Sequence, residues 1–313
     1  MGDKTGIEWT DATWNPVTGC DKVSPGCDHC YAETFAERWR GTEGHYFANG
    51  FDVQLRPDKL DLPLRWTKPR KVFVNSMSDL FHDKVPDDYI AEVFAVMACS
   101  FCWDRPTHTF QLLTKRHARM RSLLSSDEFR ARVARIAAGM SEDGDNVHDA
   151  IYYHYWPLPN VWLGVSAEDQ KRADLRIPAL LDTPAAVRFV SAEPLLGPIN
   201  LHTDPIEAGS PFWGSQLDWV IVGGESGHED RPMHVDWVRS LRDQCLAASV
   251  PFLFKQWGET VPLGQMTDEA RRRWDDYHAC DVYPEESLWR IGKKRAGREL
   301  DGRTWDQYPE AVA

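Results

Sequence analysis

Trp219-Val-Ile-Val-Gly-Gly-Glu-Ser-Gly227 is a short run of apolar residues that stops abruptly in glycine and polar groups. A run apolar on consecutive positions is a strand buried on both faces. The pattern recurs. Strands are expected over Ala12 to Val17, Lys71 to Asn75, Thr109 to Thr114, Val161 to Val165, Val187 to Ser191, Trp219 to Gly223 and Pro251 to Lys255. Helix-like stretches lie between them at Ala32 to Arg40, Asp87 to Ser100, Arg116 to Ala138, Ala167 to Leu181 and Val235 to Ala248. This alternation predicts an α/β fold of parallel strands with right-handed crossovers, as an open doubly wound sheet or a partial or complete (β/α) barrel. The rhythm fades after Trp257. Residues 1–257 are therefore expected to form the barrel and 258–313 a C-terminal extension packed on it, with Asp143 to Trp156 as an inserted loop.

Ligands of such folds bind at the carboxyl ends of the strands, so the residues after each strand carry the functional signal. They are Asn75-Ser-Met-Ser-Asp79, Thr114-Lys-Arg116, Ser166-Ala-Glu168, Ser191-Ala-Glu193-Pro194, Gly223-Gly-Glu-Ser-Gly227 and Lys255-Gln-Trp257. One such ending commonly only caps the next helix. Six in succession point to one polar site.

The second signal is Gly19-Cys-Asp-Lys-Val-Ser-Pro-Gly-Cys-Asp-His-Cys-Tyr31, where Cys20, Cys27 and Cys30 fall in a loop rich in glycine and proline. A structural zinc closes with four ligands, whereas three thiolates leave one iron of a [4Fe-4S] cluster open for another molecule. Zinc completed by His29, His45 or a distant cysteine stays open as an alternative. A disulfide framework is not expected from seven cysteines in 313 residues behind a polar leading segment. Cys99-Ser-Phe-Cys102 and Cys245 read as structural, and Cys280 has no assigned role.

The balance of 36 basic and 48 acidic residues, a net charge of -12, argues against a protein that coats nucleic acid non-specifically. No apolar run approaches the ~20 residues of a membrane span, and a cytoplasmic location is expected. Basic groups cluster at Lys68-Pro-Arg-Lys71, Arg271-Arg-Arg273 and Lys293-Lys-Arg-Ala-Gly-Arg298, the last two near Trp274, Trp289 and Trp305. Cations among aromatics suit a nucleic-acid strand, and equally a solvated surface segment. Most of the fourteen tryptophans are expected to pack in the core.

The three-cysteine loop after a first strand, followed by parallel β/α units, resembles the radical S-adenosylmethionine (radical SAM) superfamily. Asn75-Ser-Met-Ser-Asp-Leu-Phe-His82, Leu113-Thr-Lys-Arg116, Ala192-Glu-Pro-Leu-Leu-Gly197, Trp219 to Gly227 and Phe254-Lys-Gln-Trp-Gly-Glu259 resemble a phage- and bacterium-associated three-Cys-motif family within or beside it. The DNA-repairing spore photoproduct lyases are the nearest functional analogy. Here the cysteines are spaced six and two residues apart, where most of the superfamily has three and two, and Tyr31 follows the last cysteine instead of preceding it.

The resemblance implies a barrel in which Cys20, Cys27 and Cys30 hold a [4Fe-4S] cluster whose fourth iron is chelated by S-adenosyl-L-methionine. An electron from an external donor would then release a 5'-deoxyadenosyl radical that abstracts hydrogen from the substrate. It also implies cofactor contacts: Ser76, Ser78 and Asp79 for the methionine amino group, Lys115 for the carboxylate or a substrate phosphate, Ser166 and Glu168 for ribose, and Gly223, Gly224 and Glu225 for adenine or substrate. Glu193, Lys255 and Gln256 remain for substrate, with a rim salt bridge as the plainer reading of the first two. The expected reaction is repair or modification of a DNA base. RNA, peptide or small-molecule substrates, or a non-catalytic cluster- or zinc-bearing protein with a protein partner, are the alternatives.

Overall fold

The computed structural model describes residues 5–102, 107–202, 213, 216–272, 278–280, 282–283 and 287–310. β1 (Ala12–Trp14) is followed by β2 (Val17–Thr18), the cysteine loop, α1 (Tyr31–Glu37) and β3 (Gln54–Leu55), which pairs antiparallel with β2. Then come β4 (Lys71–Val74), α2 (Asp87–Cys102), β5 (Thr109–Thr114), α3 (His117–Leu124) and α4 (Asp127–Gly139). After α5 (Gly144–Asp149) the chain runs through β6 (Val161–Ser166), α6 (Gln170–Leu181), β7 (Val187–Ala192), β8 (Trp219–Gly223), α7 (Val235–Ala247) and β9 (Phe252–Gln256).

The strands β1-β4-β5-β6-β7-β8-β9 stand in that order in one sheet, every pair parallel. The sheet curls into a half-barrel. Side-chain alternation along the strands splits the core in two. Val72, Val74, Leu112, Leu163, Val165, Val190, Val220, Val222, Phe252 and Phe254 face the helices in the large cluster. Phe73, Trp162, Phe189, Trp219, Ile221 and Leu253 point to the other face, where Trp9 joins them in a separate aromatic cluster. A methyl group at Gly164 would come within 2.4 Å of the Phe189 ring, so this glycine lets the ring cross the neighbouring strand. At the carboxyl ends of these strands, Asn75, Lys115, Ser166, Ser191 and Lys255 line the open side of the sheet. The inner face is thus apolar at its base and polar at its carboxyl rim.

Three expectations are corrected. The helix expected over Arg116 to Ala138 is two, because Ser126 adopts extended backbone and its side chain caps α4 by accepting from Phe129 N at 3.3 Å. The expected helix at Ala167 begins only at Gln170, where Asp169 caps it through Arg172 N. The segment expected as a loop over Asp143 to Trp156 is α5 followed by a π-helical turn, Ala150–His154. Val147 and Ile151, four residues apart, bury on one stripe there, and Trp156 packs on Phe94 and Phe129.

Beyond β9 the chain forms an antiparallel sheet from β10 (Thr260–Pro262), β11 (His278–Cys280) and β12 (Leu288–Arg290), with α8 (Asp268–Arg271) after β10. α9 (Lys293–Ala296) and the pair β13 (Glu299–Leu300) and β14 (Arg303–Thr304) follow. Residues 305–307 run antiparallel along β9 through a Leu253–Asp306 bridge, and Phe254 N donates to Trp305 O at 3.0 Å. This covers the open edge of the sheet, which would otherwise present unpaired backbone groups. Among the described residues no helix is long and apolar enough to cross a membrane.

Candidate active site

A cavity of about 420 Å³ opens over the polar rim of the sheet. Cys20, Cys27 and Cys30 line it together with Ser76, Ser78, Asp79, Lys115, Ser166, Glu193, Gly224, Glu225, Lys255 and Gln256. Residues read separately from seven places in the sequence therefore face one space. All three cysteines are free and half-buried. Among the described residues no group of three or more His, Cys, Asp or Glu side chains is gathered so as to hold a metal ion.

The cysteine loop is clasped from two strand ends. Glu168, fully buried, accepts from Gly26 N at 3.2 Å and from Arg176 at 2.9 Å. Burial would raise its carboxyl, but Arg176 and the loop's donors hold it below the usual range. Its side chain thus ties the loop to the barrel, while the cavity wall beside it is Ser166. Glu225 is bound twice by Arg231, through Nη2 at 2.6 Å and Nε at 2.9 Å, and Arg231 also reaches Asp28 at 3.1 Å and Pro25 O at 2.9 Å. His29 Nδ1 lies 3.1 Å from the same carboxylate. Against the raising effect of burial, these partners keep Glu225 ionised. His29 therefore belongs to the clasp that orients the loop.

On the opposite wall Asp79 accepts from Thr114 Oγ1 at 2.8 Å, Lys115 N at 3.0 Å and Phe81 N at 3.0 Å. Arg116 lies 3.6 Å from it and donates to Cys20 Sγ at 3.3 Å. Burial and the Asp79 charge push the Cys20 thiol up to about 11, with Arg116 opposing them. Asp79 is thus largely spent on internal partners, and the unengaged acceptor beside it is Asn75 Oδ1, buried and without a donor among the described residues. Asn75 holds φ 62°, a strained left-handed conformation for a residue other than glycine, at the turn that ends β4.

Lys115 Nζ donates to Ser166 Oγ at 3.2 Å, and Ser166 is in register with Ser191 on the adjacent strand. Lys255 Nζ lies 2.7 Å from Glu193, which also accepts from Gln256 Nε2 at 3.1 Å, while Gln256 Oε1 has no donor among the described residues. The rim salt bridge is formed, and it sits inside the cavity wall. The glycines serve the protein's own packing. A methyl group at Gly224 would meet Trp257 O at 1.8 Å, and one at Gly223 the Glu193 carboxylate at 3.2 Å. Gly224 also lines the cavity.

The basic clusters scatter. Lys71 starts β4, at the end of the sheet away from the cavity, and stacks on Tyr308. Arg271 is bonded to Leu263 O. Arg273, Trp274, Trp103 and the side chains of Cys102 and Cys280 lie outside the described residues, while Cys99 and Cys245 are buried. Trp9, Trp14, Trp66, Trp213, Trp257 and Trp305 are core residues. Lys293 alone of the extension lines the cavity among the described residues. Arg116, Arg231 and Asn75 were not singled out in the sequence. Arg116 and Asn75 lie inside motifs already quoted, whereas Arg231 had no signal beyond following Glu225.

No curated protein and no solved structure matches the chain. Residues 4–309 match a family described as proteins of unknown function (DUF5131), and the chain belongs to that family.

Proposed function

We propose that the chain is a radical SAM-type enzyme, with a [4Fe-4S] cluster on Cys20, Cys27 and Cys30 and S-adenosyl-L-methionine in the cavity. One observation carries this reading: three free thiols of a single loop face the same polar cavity as the ends of six parallel strands. The donor set fits the cluster. Each thiolate of such a cluster binds a different iron, so the sulfurs need to frame a cavity mouth and need not crowd around one ion. When bound, the cluster supplies the electron that cleaves the sulfonium.

The chain's own residues hold and orient the reagents. Arg116 compensates negative charge at Cys20, and the Glu225–Arg231 pair fixes the loop. Asn75 Oδ1 accepts the ligand's amino group beside Ser76 and Ser78, which spares the occupied Asp79. Lys115 with Ser166 receives a carboxylate. Gln256 Oε1 is left for a donor on the substrate. The aromatic layer of Trp9 and Phe73 below excludes water from that side of the reaction.

Iron and sulfide analysis after anaerobic reconstitution, with Cys27→Ala alongside, tests the cluster. About four irons per chain, lost in the variant, is the expected result. One equivalent of zinc and no cluster overturns the proposal, as does the absence of 5'-deoxyadenosine from the reduced protein with S-adenosylmethionine under every reductant tried.

A further inference from the structure

The cavity wall carries Lys115, Arg116, Lys255 and Lys293 against Asp79, Glu193 and Glu225. Each carboxylate is engaged: Asp79 by Arg116, Glu193 by Lys255 at 2.7 Å, and Glu225 by Arg231 at 2.6 Å. Among the described residues no carboxylate pairs with Lys115 or Lys293. In a chain of net charge -12, this lining carries four cationic side chains against three carboxylates.

Lys293 opens α9, and Lys293, Lys294 and Arg295 are all exposed, with no ion pair on any of their side chains among the described residues. Their backbone is anchored. Lys293 N donates to Glu259 Oε2 at 3.2 Å, Gly297 O accepts from Trp257 N at 3.2 Å, and Ala296 is buried. Three neighbouring cations pinned to the end of β9 repel one another, and a polyanion removes that cost. At the same mouth stands Tyr31, with an exposed ring and its hydroxyl fixed 2.5 Å from Ser76 O.

Resting on the proposed enzymatic reading of this cavity, we propose that its substrate is a single-stranded nucleic acid. Phosphates lie along Lys293, Lys294 and Arg295, a base stacks on Tyr31, and one unit enters the cavity. A target inside a duplex would have to leave its stack to reach this space. S-adenosylmethionine carries a net positive charge and leaves the outer cations unsatisfied, which assigns them to the substrate.

Fluorescence anisotropy with labelled 12-residue single strands of DNA and RNA, and with a blunt DNA duplex, tests the proposal on the full-length protein. It needs neither reductant nor S-adenosylmethionine, so a failure of the radical reading leaves it interpretable, and 5'-deoxyadenosine formation without nucleic acid reports that reading separately. Single strands are expected to bind more tightly than the duplex. In the Lys293→Gln/Lys294→Gln/Arg295→Gln protein, the slope of log affinity against log salt should fall by about 2, at about 0.7 for each phosphate that is no longer neutralised. Tyr31→Ala should weaken single-strand binding by about fivefold or more. Unchanged unfolding midpoints serve as the folding control. No binding, a slope untouched by the triple substitution, or full competition by a free nucleoside triphosphate would each overturn the proposal.

Discussion

Arg116 Nη1 stands 3.3 Å from Cys20 Sγ and 3.6 Å from Asp79 Oδ2. One guanidinium thus joins the cysteine loop to the wall formed by β4 and β5. Its charge favours the thiolate that burial and Asp79 disfavour. If the proposed cluster is present, Arg116→Gln should lower iron content after reconstitution and move its midpoint potential to more negative values, because a cation beside such a cluster favours its more negative, reduced form. Arg116→Lys should restore part of the shift. An unchanged potential with full iron loading in Arg116→Gln would remove this role.

The loop's second anchor predicts a different signature. Glu225 is buried and Arg231 is a third exposed. Arg231→Ala removes the guanidinium and leaves the carboxylate only His29 and a backbone N–H, for a loss of about 2 kcal/mol, below the roughly 3–5 kcal/mol of a fully enclosed pair. Glu225→Gln, which leaves no unpaired charge on the strand end, should lose less. Urea unfolding of both variants measures the order, and the reverse order would contradict the clasp.

Gly224 has the tightest surroundings of any described glycine, with the Trp257 carbonyl 1.8 Å from where a methyl carbon would sit. Because the obstacle is backbone, relief requires β8 and β9 to part. Gly224→Ala should cost about 3 kcal/mol, the upper end for overpacking, and should reduce cavity ligand binding as well. Gly227→Ala meets no atom within 4 Å but sits at φ 122°. It should cost less, through backbone strain alone. Equal unfolding midpoints for the two variants would count against this account.

Asp301 accepts from Arg239, Arg242 and Gln265, binding the C-terminal turn to α7. Arg239 foremost, then Arg242 and Gln265, holds its carboxyl well below the unfolded value of 3.8. A depressed carboxyl stabilises fully above that value and loses the effect as pH falls below it. Asp301→Asn should therefore cost about 1 kcal/mol at pH 7, discounted for its one-third exposure. The gap to the parent protein should narrow at pH 3. A gap equal at both pH values would exclude the ion pairs as its source.

Much of the frame was legible in the chain. Val72, Val74, Val220 and Val222 alternate with Phe73, Trp219 and Ile221, so both faces of these strands are apolar, and only a covered parallel sheet buries them all. The helix breaks were less legible. Ser126 and Asp169 look like ordinary polar residues within helical patterns, and their capping bonds become visible only once the backbone turns.

The amino-acid sequence by itself determined the order of strands and helices, the rim on which polar groups gather and the three thiols in one loop. These follow from the period of the apolar residues and from spacing along the chain. Only the tertiary structure decided which polar groups are engaged and which are not. Glu168 and Glu225 hold the loop, Asp79 serves Thr114 and Lys115, and Asn75, Gln256 and Lys293 keep unused capacity toward the cavity. That division rests on distances between residues as far apart as His29 and Glu225. Hydrogen bonds and ion pairs act over a few ångströms of space, and spacing along the chain does not set those distances.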